Sequence, residues 1–127
     1  MHEKVEREIE ERGLEDVITL LGDLGDVPAL MQAMDVVLMP SFFEGVLVSL
    51  VEAQVSGLPV LCRDTITKEV EITGLCSFFP LDNTAAWVDA IRTIDTNKRK
   101  DVSDLIIKSG CDIRTTTKRL EQFYCNL

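Results

Sequence analysis

The chain has 127 residues, 46% of them hydrophobic, enough for one domain with its own core and too few for two of ordinary size. Its net charge is −9 and its Lys and Arg residues are scattered, apart from a short run at Lys98, Arg99 and Lys100, which argues against nucleic acid as a partner. The start of the chain is charged and no window approaches the ~18 apolar residues of a membrane span; four cysteines without a Cys-x-x-Cys pair, beside one histidine, point to reduced thiols in a soluble, cytoplasmic protein.

In chain order, residues 3–12 are a charged run with Val5 and Ile9 four apart, which predicts an amphipathic surface helix stopped by Gly13. Val17–Leu21 is apolar except for Thr19 and reads as a strand. After a Gly-Asp turn, Val27–Met34 repeats Leu30, Met31 and Met34 at helical spacing. Val36–Met39 is a second apolar strand, ended by Pro40. Leu47–Ser56 then carries a helical pattern, with Gly57 as its C-cap and Pro59 just beyond. Val60–Cys62 is a third strand and Ser77–Leu81 a fourth, and helical patterns follow at Thr84–Ile94, Val102–Ser109 and Asp112–Tyr124. Unbroken apolar strands separated by helices specify an α/β fold, a doubly wound, Rossmann-like parallel sheet of about four strands with helices on both faces.

Sheets of this class bind ligands beyond the carboxyl ends of their strands, where helix N-termini present free amides and a partial positive charge. Pro40–Leu47 is such a place. Gly45 lets the backbone approach a ligand, Glu44 stands at the mouth of the cleft, and Glu52 lies roughly 7 to 8 Å along the following helix. Two carboxylates so spaced can each accept hydrogen bonds from a vicinal diol while the amides between them hold an anion, which suits a sugar joined through phosphates to a ribose. The pattern also admits a plainer reading. Ser49, Glu52 and Ser56 recur at helical spacing, as on a solvated helix face, and Glu44 alone also fits a solvated loop.

Pro40-Ser41-Phe42-Phe43-Glu44-Gly45, followed by Leu50-Val51-Glu52-Ala53-Gln54-Val55-Ser56-Gly57-Leu58-Pro59-Val60, resembles the signature of group-1, family 4 type retaining glycosyltransferases of the two-domain B fold. The likeness extends through Gly22-Asp23, Val27–Asp35 and Arg63–Val70, and the Asp-Thr-Ile-Thr-Lys-Glu run resembles the branch that builds bacterial capsule, exopolysaccharide and O-antigen chains. The resemblance implies a hexose contact for Glu44, taken as the catalytic residue. It also implies donor binding by Ser41 and by the amides of Gly45, Val46 and Leu47, ribose binding by Glu52, and base contacts from Gly22, Asp23 and Leu24. It further implies a nucleotide-sugar donor, UDP-hexose or UDP-N-acetylhexosamine, a glycan or lipid-linked acceptor, no cofactor and no required metal, at the inner face of the membrane in the full-length enzyme.

Two departures qualify the carry-over. The family has a second Gly or a Pro at or beside position 47, where this chain reads Val46-Leu47. The N-terminal acceptor domain and the start of the C-terminal domain, with its Arg and Lys pyrophosphate clamp, are expected to be absent, leaving an inactive donor half. Lys68 and Arg63 follow the third strand, where they can face phosphates or simply be solvated. An open sheet edge would favour self-association, and Leu120, Phe123 and Tyr124 of the last helix either face a missing domain or pack within this one. A receiver-like phospho-acceptor domain has similar length and acidity but needs an Asp where the second strand ends in Pro40 and Ser41. A non-catalytic assembly module derived from the same fold stays open.

Overall fold

The computed structural model describes residues 2–41, 48–96 and 99–126. Three short apolar strands pair in parallel: β1 (Val37–Met39), β2 (Val60–Arg63) and β3 (Cys76–Phe79), in the order β1-β2-β3. Val37 aligns with Val60, and Val60 with Cys76. Parallel neighbours need a crossover. Between β1 and β2 it contains a helix, Val48–Val55; between β2 and β3 it contains a short 3-10 turn at Lys68–Val70.

Before the sheet come α1 (His2–Glu11) and α2 (Val27–Ala33); the crossover helix is α3 (Val48–Val55). After β3 come α4 (Thr84–Thr93), α5 (Ser103–Ser109) and α6 (Ile113–Cys125). Three of the helix starts, those of α2, α4 and α6, have a chemical cause. Asp26, Asn83 and Asp112 accept hydrogen bonds from the amides of Ala29, Ala86 and Thr115, at 3.0, 3.2 and 2.8 Å, satisfying donors that the first helical turn leaves open. At the end of α3, Gly57 has φ +71°, and a Cβ there would stand 2.6 Å from the carbonyl oxygen of Lys100, so the predicted cap position accepts only glycine.

Alternation along the strands sorts the core. Val37, Met39, Val60, Cys62, Cys76 and Phe78 belong to one cluster with Met31 of α2 and Leu50 and Ala53 of α3, so α2 and α3 cover one face. The other face carries Leu61, Ser77 and Phe79, beneath Ala86 and Ala90 of α4, around a cavity of about 520 Å³. Trp87 of α4 packs on Phe79, its ring centroid 5.6 Å away, and its Nε1 donates to the Pro80 carbonyl at 2.9 Å. Helices therefore lie on both faces, as the sequence predicts.

Inside the first face sits one polar side chain. Gln54 is fully buried; its amide nitrogen donates to the carbonyls of Leu50 (3.0 Å) and Val70 (2.8 Å), and its oxygen accepts from the Ile72 amide (3.1 Å) and the Thr73 hydroxyl (2.9 Å). A buried amide with every partner supplied ties α3 to the segment leading into β3.

The expectation of four strands is corrected to three among the described residues. Val17–Leu21 has no regular structure: the amides of Val17 and Ile18 turn back to the Leu14 carbonyl, and Val17 is 78% exposed. An apolar run becomes a strand only where another strand meets its N–H and C=O groups. No residue of α6 is buried, and Leu120, Phe123 and Tyr124 are all exposed, which settles the alternative of packing within this domain against it.

Candidate functional site

At the carboxyl end of β1 the chain leaves the sheet through Pro40, which has no amide hydrogen to continue a ladder, and Ser41 follows, half-buried. Glu44, Gly45, Val46 and Leu47 lie outside the described residues. α3 is described from Val48 onward and carries Glu52 in its second turn.

α3 has two unlike faces. Leu50, Ala53 and Gln54 are buried against the sheet. The outward side holds Val48 and Val55, 67% and 53% exposed, with the exposed Glu52 between them and the half-buried Val51 alongside. Residues three and four apart are neighbours on a helix, so Val48 and Val55 flank Glu52 directly. No hydrogen bond or ion pair engages the Glu52 carboxylate among the described residues. Ser49 and Ser56, which suggested a solvated polar face, are both half-buried, and the Ser56 hydroxyl donates to the sulfur of Met31 at 3.9 Å. Glu52 is a lone carboxylate in an exposed valine stripe. Such a surface accepts hydroxyl hydrogens at one point and packs against the carbon face of a ring on either side.

Gly22, Asp23 and Leu24 form an exposed turn, Gly22 at φ +63°, that leads to the Asp26 cap of α2. The two described parts of the predicted donor site thus attach to two helices that share one core: Gly22–Leu24 ahead of α2, and Ser41 and Glu52 before and on α3. Arg63 is the half-buried last residue of β2, and the exposed Lys68 opens the 3-10 turn beyond that strand's carboxyl end.

Sequence reading did not pair Cys62 with Cys76. They stand on adjacent strands on the same face, with Glu71 beside them; a carboxylate oxygen of Glu71 accepts from the Cys76 amide at 2.7 Å. A hydrogen bond with Cys62, then burial, then the Glu71 charge push the Cys76 thiol up from its ordinary value, so it stays protonated at neutral pH. That chemistry suits core packing rather than nucleophilic attack. The one available signal was parity along two apolar strands. All four cysteines are free. Among the described residues, no three His, Cys, Asp or Glu side chains gather to hold a metal, and no helix is long and apolar enough to cross a membrane.

The family described as glycosyl transferases group 1 matches residues 1–97. The chain is also 30% identical, over 126 residues, to the "Putative glycosyltransferase EpsF" of Bacillus subtilis (strain 168), an alignment covering 95% of this chain and 33% of that protein. The chain therefore spans about a third of the length of this relative. No solved structure matches.

Proposed function

The chain belongs to the group 1 glycosyl transferases, and we propose that it is the part of such an enzyme that holds a nucleotide-sugar donor. The observation that carries this reading is Glu52, an unengaged carboxylate flanked by exposed valines on the helix that follows the β1 loop. A ribose diol donates two hydrogen bonds to one carboxylate while its ring carbons rest on Val48 and Val55. Gly22–Leu24 receive the base, the amides of Gly45, Val46 and Leu47 the phosphates, with Ser41 beside them, and Glu44 contacts the transferred sugar.

In its finer form the proposal names a UDP-hexose or UDP-N-acetylhexosamine, and as acceptor a hydroxyl of a lipid-linked or growing glycan in bacterial surface polysaccharide synthesis at the cytoplasmic side of the membrane. The bond from the anomeric carbon to the β-phosphate oxygen breaks, and UDP leaves with its electron pair. A bond to the acceptor oxygen forms on the same face, and the acceptor's proton passes to the departing phosphate. The chain's own contribution is to orient the donor, with no metal required.

Calorimetry on the intact protein tests the reading. UDP should bind, and Glu52→Ala should weaken it about tenfold, the loss expected when a ribose-binding charge is removed, ~1.4 kcal/mol. Equal affinity in wild type and variant would remove Glu52 from the site. For the finer statement, an inverted anomeric configuration in the product, read by NMR, would refute retention.

A further inference from the structure

Both helices that carry the described parts of the donor site end under a single side chain. Arg99 lies in the link between α4 and α5. One terminal nitrogen of its guanidinium donates to the Ser56 carbonyl, just past α3, at 2.9 Å. The other shares its two hydrogens among the carbonyls of Met31, Gln32 and Met34, at the end of α2, at 2.8, 2.7 and 2.8 Å. The last carbonyls of a helix have no partner within it and carry its partial negative charge, so a cation that reaches two such ends at once is stabilised by both. A planar guanidinium can do this from two nitrogens held at fixed separation, whereas an ammonium offers its donors from one atom.

Chain order gives the contact its meaning. α2 begins after Gly22–Leu24 and α3 after Ser41, and Arg99 grips the opposite end of each. The link is seated closely: the Lys100 carbonyl oxygen would stand 2.6 Å from a Cβ on Gly57. We propose that Arg99 is a positioning residue, which fixes the spacing of α2 against α3 and thereby the spacing of the base-binding turn against the ribose-binding Glu52. The proposal rests on the donor-binding reading above. It concerns a residue that touches no part of the donor.

Steady-state kinetics on the intact protein, with calorimetry using UDP and inorganic pyrophosphate as probes, tests it. In Arg99→Lys, the KM for the UDP-sugar and the Kd for UDP should rise about tenfold, ~1.4 kcal/mol, with kcat within about threefold. Pyrophosphate, too short to span both helices, should bind as in wild type. Arg99→Gln, a neutral donor that reaches fewer of the four carbonyls, should raise the same KM; it decides the matter if the lysine variant does not fold. A folded variant with unchanged KM and UDP affinity overturns the proposal, as does an equal loss for UDP and pyrophosphate, which would mark general loosening. Wild-type protein that binds no UDP overturns the donor-binding reading itself, a result distinct from either.

Discussion

The segment Val17–Leu24 and the unit from β1 through α3 to β2 are both rich in apolar aliphatic residues, yet they fare in opposite ways. In the second, Leu50, Ala53, Gln54 and Val60 are fully buried. In the first, Val17, Ile18, Leu20, Leu21 and Leu24 are all exposed. Hydrophobicity is the same kind of signal in each, so it cannot be what separates them. The difference lies in the backbone: β1 and β2 exchange hydrogen bonds in register, and α3 returns the chain over their face, while the run ahead of α2 meets no strand among the described residues. Burial follows from satisfied peptide groups as much as from apolar side chains.

The contrast can be broken most forcefully at Gln54. Gln54→Leu removes the partner of the Val70 carbonyl, the Ile72 amide and the Thr73 hydroxyl at once, and should cost about 3 kcal/mol in denaturant unfolding. A loss under about 1 kcal/mol would mean that the sealed region does not depend on its polar tie.

A smaller effect is expected at the exposed helices. The Thr115 amide and then its hydroxyl hold the Asp112 carboxyl below the usual carboxylate range, and the Ser103 hydroxyl and then its amide do the same for Asp101. Folded values lower than unfolded ones mean that both sets of hydrogen bonds are fully present above the unfolded value, roughly 3.9, and fade as pH falls through it to the lower folded value. Helical signal by circular dichroism should fall over that acid range. Asp112→Asn, which caps without titrating, should flatten that part of the fall belonging to α6; an unchanged curve would remove Asp112 from the account.

Least of all should happen at the exposed run. Leu20→Ser and Leu21→Ser in the 127-residue chain should each change stability by under about 0.5 kcal/mol. A larger loss would show that the segment is packed and erase the contrast.

Much of this was legible in the residues. Gly13 and Gly57 marked helix ends, α2 and α4 to α6 followed their apolar spacing, and Val36–Met39 and Val60–Cys62 each contain or overlap a real strand. Val17–Leu21 misled because a strand pattern carries no information about whether a neighbour exists. The motif brought Ser41 and Glu52 onto one strand-to-helix connection, and the structure sets Glu52 between exposed valines where a face shared with Ser49 and Ser56 was the plainer expectation. Arg99 was illegible because its four acceptors are backbone carbonyls more than forty residues away, which leave no trace in side-chain identity. Glu44 lies outside the described residues.

The strand order has a consequence in time. Among the described residues, β2 and β3 each pair with the strand synthesised roughly twenty residues before it, so neither pairing waits for a distant part of the chain. A parallel sheet is ordinarily slow to assemble because its loops are long to close. Laid down in sequence order, this one can grow by a strand at a time as the polypeptide leaves the ribosome.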